Sequence, residues 1–194
     1  MFRDDTEKSL EILKRGGVIL YPTDTIWGIG SDATNSKSVE RIYAIKQRNE
    51  AQTMLTLVDG WDMLAGYVDD VPEIAVQLMG KAQKPLSIIY RKAKNLATNL
   101  IAADGSIGIR IVQEPFCQQL IKAFGKPIVS TSANISGQPA PGTFDEISNE
   151  IKDAVDYIVH WRQDDRQPAN ASMIVQLNED GSYKVIRNEI KRIR

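Results

Sequence analysis

The chain has 194 residues, 42% hydrophobic and 25% charged, with 24 Lys and Arg against 25 Asp and Glu. That length suits one domain over residues 1–194, and the balanced charge sets aside a globally basic nucleic-acid binder while leaving room for a local basic face. A lone cysteine, Cys117, excludes an intrachain disulfide and fits a reducing compartment; with no membrane-length apolar run and no signal-peptide core after Met1, a cytoplasmic protein is expected.

In chain order, the spacing predicts a first amphipathic helix capped by Thr6, with Leu10, Ile12 and Leu13 near one face and Gly16-Gly17 at its end. Val18–Tyr21 reads as a strand stopped by Pro22. Ser36 is the expected cap of a helix that turns Val39, Ile42 and Tyr43 inward and carries Lys46 near its end. Met54–Val58 is the next strand, followed by helical stretches at Trp61–Tyr67 and Pro72–Met79. Leu86–Tyr90 and Ser106–Ile111 read as strands, Pro115–Phe124 as a helix ended by Gly125, and Pro127–Ser130 as another strand. Thr143-Phe144-Asp145-Glu146 matches a capping box. Val155–Val159, Met173–Leu177 and Tyr183–Arg187 complete the strands, the last two joined by the turn Asn178-Glu179-Asp180-Gly181. The alternation predicts a three-layer α/β fold with a twisted mixed sheet flanked by helices.

Four segments stand out chemically. Val129–Gly137 carries Ser130-Thr131-Ser132-Ala133-Asn134 directly after an apolar strand, which suits either a polar turn or a loop for phosphate or carboxylate oxygens. Tyr21–Gly30 sets Thr23, Asp24, Thr25 and Trp27 after a strand and before two glycines, without the third glycine of a dinucleotide fingerprint. Lys46-Gln47-Arg48 offers two cations near a helix end, suited to the helix dipole or to a polyphosphate. Arg110 lies inside the apolar strand Gly105–Ile111 and needs an anionic partner, from the protein or from a ligand. His160 has no companion at ligand spacing, Cys117 reads as core filling, and Lys184, Lys191, Arg192 and Arg194 read as a solvated face.

Together, Tyr21–Gly30, Lys46-Gln47-Arg48, Gly105–Arg110 and Val129–Gly137, in this order and spacing, resemble the YrdC-like family. The resemblance implies synthesis of L-threonylcarbamoyladenylate and pyrophosphate from L-threonine, bicarbonate or CO2, and ATP, toward the N6-threonylcarbamoyl modification of adenosine in transfer RNA. It implies Lys46 and Arg48 as the catalytic cations facing the ATP phosphates, and Thr25, Arg110 and Ser172 as the L-threonine site. Gln52, Ser106, Ser132, Asn134 and Arg187 would join Lys46 and Arg48 around the nucleotide. Mg2+ would arrive with ATP, with no tightly bound metal held by the protein. A separate threonylcarbamoyl transferase complex would take the product, contact with transfer RNA or double-stranded RNA is compatible, and no membrane is involved.

This chain departs from the family pattern at several places. Ala82-Gln83-Lys84-Pro85-Leu86-Ser87 keeps only Pro85 and Leu86 of the usual Trp-Pro-Gly-Pro-Leu-Thr. Asn49 replaces a proline, Gln52 an asparagine, Leu57 a histidine and Met173 a threonine. Two other readings keep the same fold: an RNA-binding module without catalysis, and a paralogue with another nucleotide reaction. Balanced charge and the lack of an RNP-type aromatic motif weigh against the first, and retention of Lys46, Arg48, Ser132 and Asn134 against the second.

Overall fold

The computed structural model describes residues 2–50 and 52–188; Lys191, Arg192 and Arg194 lie outside them. Among the described residues, six α-helices, α1 (Arg3–Lys14), α2 (Ser36–Lys46), α3 (Trp61–Ala65), α4 (Glu73–Lys81), α5 (Pro115–Phe124) and α6 (Asn149–Ala154), are interspersed with nine strands. The strands are β1 (Ile19–Tyr21), β2 (Gly28–Gly30), β3 (Leu55–Val58), β4 (Leu86–Tyr90), β5 (Ile107–Ile111), β6 (Ile128–Ser132), β7 (Tyr157–Ile158), β8 (Met173–Leu177) and β9 (Tyr183–Arg187). They form one sheet in the order β7-β1-β2-β6-β3-β5-β4-β8-β9. The β1/β7, β3/β5 and β4/β8 pairs are parallel and the rest antiparallel, so the sheet is mixed.

Period-two alternation of apolar residues distributes the core over both faces. Ile19, Tyr21, Leu57 and Ile128 pack with Leu13 of α1 and Phe116, Leu120 and Ile121 of α5. Their neighbours Leu20, Ile29, Val58 and Val129 join the opposite cluster, with Val39 and Ile42 of α2 and Ile151 of α6. The result is a sheet between two helical layers.

Several local expectations are corrected. Thr6 lies inside α1, where its hydroxyl donates back to Phe2 O at 3.0 Å, so the helix begins earlier than its apparent cap. Asn35, not Ser36, caps α2, its Oδ1 accepting from the Lys37 and Ser38 amides; Asn is as good a cap as Ser. Residues 143–146 form turns, and Ser148 caps α6 through Ile151 N. There the Glu146 carboxylate accepts from Gly142 N at 2.7 Å. Gly28–Gly30 is strand β2, inserted between β1 and β6; two glycines in three residues conceal a strand from propensity reasoning. Only Tyr157–Ile158 of the expected Val155–Val159 strand is paired.

Gly30 shows why β2 carries those glycines. An added Cβ there would lie 2.6 Å from Tyr21 Cε1 and 2.7 Å from Val129 O, whereas at Gly28 the nearest atoms are 3.4 Å away. Gly30→Ala should therefore lower the unfolding free energy by about 1–3 kcal/mol, the usual cost of overpacking, and Gly28→Ala by far less. Urea unfolding of both variants checks this; equal losses would refute the packing account.

Candidate functional site

The layer of α1 and α5 covers only part of its face of the sheet. Leu57 pairs in register with Ile128 on one side and Arg110 on the other, and Leu55 with Ser130. Stepping two residues along each strand thus leads from core under the helices to the floor of a cavity of about 270 Å³. Leu55, Gly108, Arg110, Ser130 and Ser132 lie on that floor. Thr25–Gly28, Arg48, Thr53, Ser106, Thr131, Ala171-Ser172 and Arg187 stand around it, together with the apolar side chains of Met54, Ile89, Ile107, Ile174 and Ile186.

The walls are rich in cations and hydroxyls. Arg110 is 3% exposed, and its Nη2 lies 3.0 Å from Asp24 Oδ1. This is a charge contact without hydrogen-bond alignment, because Asp24 Oδ1 and Arg110 Nε are both buried without a hydrogen-bond partner. Asp24 is itself held by Gln113 N, which donates to Oδ2 at 3.1 Å. The strand arginine thus has a protein carboxylate beside it and still keeps an unused donor. Arg187 donates through Nε to Ser172 O at 3.0 Å and through Nη2 to Ser172 Oγ at 3.3 Å. Burial, and then the charge of Arg110, lower its pKa. Ser172 Oγ is also 2.9 Å from Ser87 Oγ. Thr25 Oγ1 lies 2.9 Å from Thr23 Oγ1. Arg48 donates through Nε to Gln52 O at 2.7 Å and through Nη2 to Thr53 O at 2.9 Å, fixing its fork at the cavity edge.

Thr25, Arg48, Ser106, Arg110, Ser132, Ser172 and Arg187 are thereby brought together on one wall. Lys46, Gln52 and Asn134 are not on it. Gln52 is exposed and contributes its carbonyl to Arg48. Asn134 turns its amide inward, Nδ2 donating to Ile135 O at 3.0 Å and Gln138 O at 2.8 Å. Lys46 is 1% exposed, with Nζ 2.5 Å from Ser132 O and 2.6 Å from Asn134 O. Asp24 had no assigned role in the sequence. The signal was present, since a guanidinium in an apolar strand calls for a carboxylate and Asp24 lies in the Thr-Asp-Thr loop. No group of three His, Cys, Asp or Glu among the described residues could hold a metal ion, and no described helix is long and apolar enough to cross a membrane.

Known proteins resemble this chain along most of its length. The Sua5/YciO/YrdC family model, described as telomere recombination, matches residues 11–189. A threonylcarbamoyl-AMP synthase of Pseudoalteromonas translucida (strain TAC 125) is 33% identical over 154 residues, covering 78% of this chain and 82% of the relative. The crystal structure of E. coli YciO superposes with a TM-score of 0.83 at 25% identity, over 96% of this chain and 90% of that one. P. abyssi Sua5 complexed with L-threonine gives 0.85 at 21% identity, over 95% of this chain but only 54% of that longer one. The chain belongs to the Sua5/YciO/YrdC family.

Burial, and then the nearby charge of Arg48, pull the Lys46 pKa down to about 8. Between there and the ordinary value of 10.5, the unfolded chain binds a proton that the folded chain has released. Stability from this group therefore rises with pH across that window and is lost as pH falls through about 8. Urea unfolding of wild type and Lys46→Met at several pH values from 7.5 to 10 isolates the effect. The difference should move in favour of wild type as pH rises; a flat or opposite trend would refute the assignment.

Proposed function

We propose that the protein is an L-threonylcarbamoyladenylate synthase, a nucleotidyl-transferring enzyme that uses L-threonine, bicarbonate or CO2, and ATP. The observation that carries this reading is the convergence of Arg48, Arg110 and Arg187 on one hydroxyl-lined cavity. Asp24, beside Arg110, is the carboxylate adjoining that wall. The reaction gathers a carboxylate, a carbamate and a triphosphate, so its site needs several cations and few acids. Membership in a family with synthase relatives, and the L-threonine bound to the Sua5 of similar fold, support the same choice of substrates.

In this reading Arg110 takes the threonine carboxylate with the donors that Asp24 leaves unused, and Thr25 and Ser172 bound the rest of the amino acid. A planar guanidinium matches a carboxylate bidentately. The threonine amine adds to CO2 and loses a proton, giving a carbamate. A carbamate oxygen then attacks the α-phosphorus of ATP, and the bond to the β-phosphate oxygen breaks, releasing pyrophosphate. No side-chain nucleophile takes part. Arg48 and Arg187, with Ser106 and Ser132, supply positioning and charge stabilisation, the usual means of catalysing phosphoryl chemistry. Mg2+ would arrive with ATP and would supply charge neutralisation for the leaving pyrophosphate, beside the cations of the wall.

Two experiments test this. Purified protein with ATP and Mg2+ should release pyrophosphate only when threonine and bicarbonate are both present; equal release in degassed buffer without bicarbonate would sink the mechanism. Arg110→Lys keeps the charge but loses the fork, and charge-assisted hydrogen bonds are worth about 1.5–3 kcal/mol. The threonine KM should rise by roughly one to two orders of magnitude with a smaller change for ATP. A lowered Tm with an unchanged threonine KM would instead reduce Arg110 to the structural partner of Asp24.

A further inference from the structure

Lys46 is among the most deeply buried side chains of the protein, yet no carboxylate among the described residues forms an ion pair with it. Its charge is met by backbone carbonyls, Ser132 O at 2.5 Å and Asn134 O at 2.6 Å. Its own carbonyl accepts from Ser136 N at 2.9 Å, so one residue at the end of α2 makes three bonds to alternate positions of a single loop. Two of the three ammonium donors are used here and each carbonyl accepts one of them, so each side of this contact supports the other.

The loop continues directly from the cavity wall. Ser132 gives Lys46 its carbonyl while its residue lines the cavity, and Ala133 N donates to the carbonyl of Trp27, another wall residue, at 3.1 Å. Arg48, two residues after Lys46, is on the wall itself. To swing its ammonium out into the cavity, Lys46 would have to give up these two carbonyl contacts.

We propose that Lys46 is a positioning residue, whose ammonium holds the 132–136 loop, and through it the hydroxyl wall at Ser132, in the shape that receives nucleotide, remaining on the loop carbonyls when nucleotide binds. This rests on the nucleotide reading of the cavity and deepens it, leaving Arg48 as the cation of the Lys-x-Arg segment that meets phosphate.

The test follows the ammonium itself. In the full chain labelled with 15N-lysine, a buried, hydrogen-bonded ammonium exchanges slowly enough to give a resolved Nζ resonance, identified by its loss in Lys46→Arg. That resonance should be present without ligand and should stay in place when AMP and then ATP are added to saturation. Calorimetry should show Lys46→Met losing at least tenfold in ATP affinity, with Lys46→Arg recovering part of the loss because a guanidinium can also span two carbonyls. An Nζ resonance that moves with ATP but not with AMP would overturn the proposal in favour of direct phosphate contact. So would a folded Lys46→Met that binds ATP like the wild type. Should Lys46→Met fail to fold, the wild-type titration still decides. Absence of ATP binding to wild type would overturn the nucleotide reading and this proposal together, and is distinguished by the unliganded Nζ resonance surviving unchanged.

Discussion

A guanidinium in the middle of a sheet is the constraint around which the site is arranged. Arg110 occupies β5, with Leu57 of β3 beside it in register, on the face that α1 and α5 fill with Phe116, Leu120 and Ile121. An arginine there cannot be covered by an apolar helix without leaving buried donors unmet. The sheet accommodates it in two ways. The helical layer ends short of it, which opens the cavity, and the loop after β1 returns Asp24 to within 3.0 Å of Nη2. Asp24 offsets the charge without using all the donors, since Arg110 Nε has no hydrogen-bond partner among the described residues. A fully paired arginine would be a structural element alone. A partly paired one keeps an unmet donor for an anion.

The surrounding contacts keep the loop and the helical layer in register. Cys117 of α5 donates its thiol to Pro22 O at 3.1 Å, tying α5 to the segment that carries Asp24. Glu114, buried at the start of α5, accepts from Cys117 N at 2.7 Å and from Trp161 Nε1 at 2.9 Å. Asp5 of α1 accepts the Tyr157 hydroxyl at 2.6 Å and the amides of His160 and Trp161 at 3.0 and 2.9 Å. Each carboxylate is satisfied by several donors, so each is a rigid junction, unlike an exposed ion pair such as Arg3 with Glu7. Arg162 then donates to Thr23 O at 2.9 Å, closing the path from the far edge of the sheet back to the Thr-Asp-Thr loop.

Much of this was legible in the sequence where period and punctuation agreed. Leu86–Tyr90, Pro115–Phe124, Met173–Leu177 and Tyr183–Arg187 stand in the structure with the bounds that their patterns imply. These segments are short runs rich in β-branched and other apolar residues bounded by turn signals or, for α5, have a Pro start and a left-handed Gly125 end at φ 72°. Illegible features depended on distant partners. Strand β2 has almost no side chains of its own and is defined by Tyr21, Val129 and Thr131 around it. The caps failed where two adjacent polar residues competed, as at Asn35 and Ser36, since residue type alone does not choose between them. Lys46 illustrates the limit at the site: its spacing from Arg48 is visible in sequence, but the direction of its side chain is set by the carbonyls of a loop 86 residues later.

The same geometry explains which departures from the family pattern matter. Leu57 is buried against the α1/α5 cluster, neighbour to Arg110 on the strand pair, so an imidazole in its place would add a titratable donor beside the guanidinium. Leucine removes that option and leaves Asp24 as the carboxylate paired with Arg110. Ser87 is fully buried with its hydroxyl on Ser172, so it supports a wall residue from behind and never reaches the cavity. Ala82–Pro85 and Met173 border a neighbouring open groove that also touches Asp24 and shares Ala171 with the cavity. Ser87 thus lies in the packing behind the wall, Ala82–Pro85 and Met173 at a neighbouring groove, and Gln52 at the cavity edge, where its carbonyl holds Arg48. In the proposed reaction the cations and hydroxyls on the cavity wall carry the demand, because the loss of one methyl group at Ser87 behind the wall can be absorbed by repacking, whereas a charge lost from the wall would leave an anion unmet.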